Sequence, residues 1–206
     1  MHFLVIDDHP IVRQSLGLTL RALFPGADLT EADSAKAAVA RFPEKKWSVI
    51  LLDLDLPDRS GIDLLRDARA LAPASPVLVF SGRNEAEYGR RVLAAGAMGF
   101  LSKMSPPALI ETAVRRVLAG HKHISPDLAE QLIGTSPKAA PHEALSDREL
   151  EVLRLFAAGL SPTDAAARLN LSIKTVSTYR ARILEKLGLR TTADLIRYAV
   201  DHHIAS

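Results

Sequence analysis

Apolar residues fall in short unbroken runs along the first 120 residues, with amphipathic stretches between them. The runs are Phe3 to Ile6, a weaker segment around Leu29, Val49 to Leu52, Val77 to Phe80 and Met98 to Leu101. Apolar runs this short, closed by polar residues, read as strands buried on both faces. The intervening stretches carry helix signals. Pro10 opens one that contains Ile11, Leu16, Leu18, Leu20 and Leu23 and stops at Pro25-Gly26. Ser34 can cap a second, holding Ala37, Ala38, Val39 and Phe42 and ended by Pro43. Ser60 can cap a third with Ile62, Leu64 and Leu65 on its buried side, and a fourth runs from about Glu85 to Ala94. Ser105 with Pro106 offers a Ser cap and a first-position proline for a fifth, which carries Leu109, Ile110, Val114, Val117 and Leu118 and ends at Gly120. Strand and helix alternating in this way predict an α/β fold, a five-stranded parallel doubly wound sheet with every strand end on one rim.

The pattern then changes. Residues 121–142 read as a linker with a short helix from Ser125-Pro126 through Ile133, and Gly134 to Pro141 holds Gly, Ser, Thr and Pro. After Pro141 no strand signal remains. Ser146-Asp147-Arg148-Glu149 is a capping box before Leu150, Val152, Leu153, Leu155 and Phe156, closed by Gly159. Ser161-Pro162-Thr163-Asp164 starts a second helix. Ser172 can cap a third containing Val176, Ile183, Leu184 and Leu187, closed by Gly188, and Thr191-Thr192-Ala193-Asp194 starts a fourth through Leu195, Ile196, Ala199 and Val200. A short helix, a turn at Leu169 to Leu171 and a basic helix make a helix-turn-helix. The predicted organisation is a first domain over 1–120, a linker over 121–142 and a small all-α domain over 143–206.

Composition bounds the chemistry. The chain has 206 residues, 48% hydrophobic and 24% charged, with no cysteine, so disulfides and thiolate-held metals are excluded. Its start lacks a secretory signal and no segment reaches the ~20 apolar residues of a membrane span, so a cytoplasmic protein without membrane contact is expected. The net charge of +2 alone does not argue for nucleic acid. Its distribution says more: Arg168, Lys174, Arg180, Arg182, Lys186 and Arg190 face only Glu185 as acid over the same stretch. Such a face is either merely solvated or, when a helix-turn-helix presents it, a major-groove reader. His121, His123, His142 and His202-His203 lack a credible ligand set and read as surface residues.

The strand ends bring Asp7 and Asp8, Asp53, Ser81 and Lys103 to one rim. Asp53 alone reads equally well as a turn residue. Three acids together favour a hard divalent cation, and a lysine and a hydroxyl beside them suit phosphoryl transfer onto a carboxylate. Here the chain resembles the receiver domain of bacterial two-component response regulators, a flavodoxin-like fold. The matching residues are Leu4-Val5-Ile6-Asp7-Asp8-His9-Pro10, Asp53-Leu54-Asp55-Leu56-Pro57 with Gly61, Ser81-Gly82 and Gly99-Phe100-Leu101-Ser102-Lys103. The resemblance implies that Asp53 accepts a phosphoryl group from a sensor histidine kinase. It implies Mg2+ held by Asp7, Asp8, Asp53 and the backbone carbonyl of Asp55. Lys103 and Ser81 would bind the phosphoryl oxygens, and Phe100 would turn inward as Ser81 moves. An aromatic in a short strand also reads simply as core. Asp55 and Arg83 flank the pocket with opposite charge; they face each other across it and control water access, or are solvated rim charges.

Residues 143–204 resemble the LuxR-type helix-turn-helix, and the two modules together resemble the NarL/FixJ class. The match rests on Leu145-Ser146-Asp147-Arg148-Glu149, Ala158-Gly159-Leu160-Ser161, Leu171-Ser172-Ile173-Lys174-Thr175-Val176-Ser177-Thr178-Tyr179 and Ile183-Leu184-Glu185-Lys186-Leu187-Gly188. Ser172 to Leu187 would be the recognition helix. Ser177, Thr178 and Ala181 would lie toward base edges of double-stranded promoter DNA. Thr175 is a further DNA contact, and Lys174, Tyr179, Arg180, Arg182 and Lys186 would mostly meet phosphates. Pro162-Thr163-Asp164-Ala165-Ala166 departs from the Asn-Lys-Glu-Ile-Ala of many relatives, and Tyr179 stands where His is common. The class implies a homodimer when phosphorylated or DNA-bound, with the last helix, Asp194 to Ile204, a candidate interface; RNA polymerase is a candidate partner. The expected function is a DNA-binding transcriptional regulator, not a turnover enzyme. Two rivals remain: a phosphorylation-independent regulator whose receiver is a docking surface, and an aspartyl-phosphate phosphatase, which Pro57 and the acid pair before Asp53 disfavour.

Overall fold

The computed structural model describes residues 1–134, 141–202 and 204. The chain divides into two compact units, Met1–Thr135 and Ser136–Ser206. In the first, strands β1 (His2–Ile6), β2 (Asp28–Ala32), β3 (Val49–Leu52), β4 (Val77–Ser81) and β5 (Gly99–Ser102) form one parallel sheet in the order β2-β1-β3-β4-β5. The helices are α1 (Pro10–Leu23), α2 (Ala35–Arg41), α3 (Gly61–Leu71), α4 (Glu85–Ala94), α5 (Pro107–Leu118) and α6 (Pro126–Gly134).

Successive strand side chains point to opposite faces, and here each face has its own core. Leu4, Ile6, Ile50, Leu52, Val77, Val79 and Phe100 face α2, α3 and α4. Phe3, Val5, Val49, Leu51, Leu78, Phe80 and Leu101 face α1 and α5. This two-sided burial is why the strands read as unbroken apolar runs; each fully buried Val, Leu or Ile contributes about 2 kcal/mol. The weaker segment at Leu29 becomes edge strand β2, largely uncovered. Because β2 and β3 lie on opposite sides of β1, the chain leaves β1 and β3 toward different faces. That opens a crevice at their carboxyl ends, where open α/β sheets bind ligands.

Several local expectations change. The second helix stops at Arg41, two residues before Pro43, so Phe42 lies outside it; Phe42–Glu44 forms a 3-10 turn that follows α2. Ser60 is the N-cap of α3 without a side-chain bond. Helix α5 starts at Pro107 rather than Pro106, with Pro106 itself the cap, not Ser105. The reason is steric: a residue before proline is driven out of the helical region, and Pro106 is extended at ψ 156. The short helix placed in the linker, α6, lies in the first unit, with Leu128 fully buried. The linker expectation over 135–140 falls outside the described residues, and Pro141–Ala144 is a 3-10 turn.

The second unit holds α7 (Asp147–Ala157), α8 (Pro162–Leu169), α9 (Ile173–Leu187) and α10 (Thr192–Asp201) around Leu145, Val152, Leu153, Phe156, Ala165, Val176, Ile183, Leu195 and Ala199. Ser146 with Glu149 and Thr191 with Asp194 are complete capping boxes. The turn from α8 to α9 passes through Asn170 at φ 54, a left-handed conformation that Asn tolerates better than most residues. The last helix ends at Asp201 rather than Ile204, yet Ile204 is buried and its amide bonds the Ala199 carbonyl at 2.8 Å. Among the described residues no helix is long and apolar enough to cross a membrane.

Candidate functional site

The crevice at β1 and β3 collects the acids. Asp7 and Asp53 follow those strands directly and are each 1% exposed; Ser81, closing β4, is fully buried. Lys103, just past β5, reaches over them: its Nζ lies 2.7 Å from Asp7 Oδ2 and 2.7 Å from Asp53 Oδ2. Only the bond to Asp53 is aligned as a hydrogen bond. The Lys103 amide donates to the Ser81 carbonyl at 2.9 Å, so β4 and β5 fix the lysine's root. Burial pushes the Asp53 carboxyl above its usual range, against the pull of Lys103 and helped by the nearby Asp7. Burial also works against the Lys103 charge, but its hydrogen bond to Asp53 and its ion pairing with Asp53 and Asp7 outweigh this and hold the ammonium above its usual range.

Asp53 Oδ1 is buried and accepts no hydrogen bond. A buried carboxylate oxygen without a partner is costly, and such exceptions call for an ion or a reaction to explain them. One ligand atom from each of Asp7, Asp8, His9 and Asp53 lies within 4.8 Å of all the others. Oxygen donors at that spacing fit a hard divalent cation. His9 was not among the expected site residues. Its amide donates to Asp7 Oδ1 at 2.8 Å and its ring lies 2.6 Å from Asp8 Oδ1. It orients the acid pair, and the Asp-Asp-His-Pro motif carried the signal for it.

The flanking pair takes a definite form. Arg83 Nε bonds Asp55 Oδ1 at 2.8 Å and Oδ2 at 3.0 Å, its Nη2 also reaches Asp55, and its Nη1 bonds the Tyr88 hydroxyl at 3.1 Å. They are thus an ion pair, not separate rim charges. Asp58, which sequence reasoning passed over, accepts from the Ala35 and Lys36 amides at 2.9 Å each and ties the loop after β3 to the start of α2. Its partners lie over 20 residues away, so no local pattern announced it. Phe100 is 2% exposed and already packed inward.

In the second unit α9 divides cleanly. Val176 and Ile183 are buried, whereas Lys174, Ser177, Thr178, Ala181, Arg182 and Glu185 are exposed at helical spacing along one face. The other expected contacts are partly used within the unit. Thr175 closes the cap with Ser172 at 2.8 Å, and Tyr179 packs on the core. Arg180 Nε bonds Thr192 Oγ1 at 2.7 Å. Lys186 Nζ bonds the buried Glu149 at 2.7 Å. Burial would raise the Glu149 carboxyl, but Lys186 and the Ser146 amide hold it below its usual range. Two histidines are not plain surface residues: His123 is half-buried, and His142 bonds the Tyr198 hydroxyl at 3.1 Å with the His202 ring 5.6 Å away. His203 lies outside the described residues.

The response regulator receiver domain family matches residues 3–115, and the luxR family of bacterial regulatory proteins matches residues 143–199. The chain is a two-component response regulator of the NarL/FixJ class. It is 37% identical over 98% of its length to the transcriptional activator protein ExaE of Pseudomonas putida, 96% of which is covered. It is 33% identical to the response regulator GacA of Pseudomonas protegens over 97% of this chain and 95% of that one. Among solved structures it is similar to an RcsB–DNA complex (TM-score 0.60, 27% identity, 97% of this chain and 98% of that one). Salmonella RcsB bound to a promoter in the presence of the phosphomimetic BeF3− gives a TM-score of 0.63 at 27% identity, covering 96% of this chain and 98% of that one. The response regulator's acidic rim therefore lies in its receiver, and the exposed face of α9 in its luxR-family domain.

Proposed function

We propose that Asp53 is the phosphoryl acceptor of this response regulator and that its phosphorylation controls promoter binding through α9. The observation that carries this reading is the Asp53 carboxylate itself: it is buried, with one oxygen held by Lys103 and the other left without a partner. The free oxygen forms a P–O bond as the P–N bond of a phosphohistidine on the sensor kinase breaks, and the departing imidazole takes up a proton. Asp7, Asp8, Asp53 and the Asp55 carbonyl would hold Mg2+, which supplies charge neutralisation at the phosphoryl oxygens. Lys103 neutralises the acyl phosphate from the opposite side, and the Ser81 hydroxyl donates to one of its oxygens. Lys103 thereby exchanges a carboxylate partner for a phosphoryl one, while Phe100 backs the pocket from the core.

In the second unit, α9 enters the major groove of promoter DNA. Ser177, Thr178 and Ala181 lie at base edges, and Lys174 and Arg182 meet phosphates. Thr175, Tyr179, Arg180 and Lys186 contribute less directly, since each is already engaged by the fold. Short hydroxyl side chains give modest direct readout, so part of the specificity comes from DNA shape. The protein works in the cytoplasm as a homodimer on a two-fold operator, with RNA polymerase as a further partner. The test is incubation of the full chain with Mg2+ and acetyl phosphate. Acid-labile, base-labile phosphate should appear on the wild type and not on Asp53→Asn; equal labelling of both proteins would refute the assignment.

A further inference from the structure

His9 is the N-cap of α1, yet its side chain makes no cap bond. A residue in that place usually spends its side chain on the helix amides. Here the imidazole turns to the acids instead: Nδ1 lies 2.6 Å from Asp8 Oδ1 and 3.4 Å from Asp7 Oδ1. Asp8 Oδ1 is nonetheless a buried atom that accepts no hydrogen bond, so nitrogen and oxygen sit close without sharing a proton. Asp7 Oδ2 and Asp53 Oδ1 are buried and unbonded in the same way, on residues each 1% exposed. One imidazole nitrogen and one spare oxygen from each of three carboxylates thus converge. The root of the ring is fixed. Its amide donates to Asp7 Oδ1 at 2.8 Å, and Arg13, one turn on, donates Nη1 to the Asp7 carbonyl at 2.7 Å and Nε to Glu31 at 3.1 Å. The side chain itself, 63% exposed, stands at the mouth of the crevice.

The charge of Lys103 offsets only one of the carboxylates of Asp7, Asp8 and Asp53; a dication balances the other two. Carboxylate oxygens suit Mg2+ and Mn2+ alike. A nitrogen donor breaks that parity. Mg2+ keeps to oxygen and gives up its water reluctantly, whereas imidazole is a good ligand for first-row transition metals. We propose that His9 is a metal ligand and that its nitrogen makes this rim selective for a first-row transition-metal dication over Mg2+. The inference rests on the acidic rim being the cation site of the response regulator; it adds the nitrogen donor and the preference. His9 bonds no helix amide through its ring, so replacing the ring changes the donors of the site and leaves the start of α1 in place.

The probe is Mn2+, which binds stray histidines most weakly of the first-row series. Pulsed electron paramagnetic resonance on the full chain loaded with Mn2+ should show the nitrogen coupling of a directly bound imidazole. The coupling should vanish in His9→Ala and in His9→Phe, both with the metal still bound. Calorimetric titration should give the wild type a preference for Mn2+ over Mg2+ of about tenfold or more. In both variants the Mn2+ affinity should drop about fivefold while the Mg2+ affinity stays within about twofold, which also shows the rim intact. Bound Mn2+ without nitrogen coupling, coupling that survives in both variants, or an unaltered ratio of the two affinities overturns the inference and leaves the acidic site standing. Asp7→Asn combined with Asp8→Asn should weaken both ions. Equal binding of both ions by that variant and the wild type removes the rim as the cation site, and the inference with it.

Discussion

The two functional regions use charge in opposite ways. At the receiver rim, charges are buried and few: Asp7, Asp53 and Lys103 sit in a low-dielectric crevice where each group alters its neighbours. On the outer face of α9, Lys174, Arg182 and Glu185 are exposed to solvent. Buried charges give chemistry at one atom and large energetic consequences when disturbed. Exposed ones give additive, salt-screened attraction to a polyanion. A substitution should therefore be felt as folding free energy in the first unit and as binding free energy on the exposed face of the second.

The largest expected effect is Lys103→Met. It leaves two buried carboxylates without their cation and should destabilise the first unit by about 3–5 kcal/mol, read from urea unfolding. A loss below about 1 kcal/mol would mean the rim is as screened as the surface and would dissolve the contrast. Next comes Lys186→Met, on α9 yet paired inward. Lys186 is partly exposed, so screening reduces the expected loss to about 1 kcal/mol in the second unit. Glu149 titrates below its usual range when folded, so its contribution is complete above the ordinary carboxylate pKa and disappears as pH falls through the depressed value. In Lys186→Met the second unit should lose this acid-side dependence; an unchanged pH profile would place Lys186 with the exposed set. Arg83→Ala and Asp55→Ala come third. Each opens the ion pair beside Asp53, the proposed acceptor, and the phosphorylated protein's lifetime should change by roughly threefold or more, about 0.7 kcal/mol in the barrier. Identical lifetimes would show that the pair does not govern water access. Smallest in stability is Lys174→Ala, which should leave unfolding unaltered and reduce the salt dependence of DNA binding by about one unit of slope. A shifted unfolding midpoint would show that Lys174 supports the fold after all.

The rim was legible because its chemistry is local to the strand ends: an apolar run followed by an acid says where a strand stops and what it presents there. The helix starts at Ser34, Ser146, Ser161, Ser172 and Thr191 were equally legible, since a cap and its amide lie three residues apart. Contacts between distant residues were not. Asp58 on α2, Glu149 on Lys186 and Leu128 on Gly89 each join elements far apart in the chain, and no periodicity encodes them. The Pro106 cap was missed for a nearer reason: two consecutive prolines competed for the first helical position, and the sterics of the second settled it. On α9 the pattern identified the helix and its basic character. It did not separate side chains facing outward from Arg180 and Lys186, which the fold uses first.

Glu149 has a consequence beyond stability. One carboxylate closes the capping box of α7 and also holds Lys186 on α9, so the angle at which α9 is presented is locked to the start of another helix. Drift among descendants is thereby channelled. On the proposed reading, in which Ser177, Thr178 and Ala181 meet base edges, these exposed residues can vary without disturbing the scaffold, so new operator sequences are reachable by single exchanges. Lys186 and Glu149 must change together or not at all. Such a regulator can be retargeted to other promoters while the geometry that delivers the helix is inherited intact.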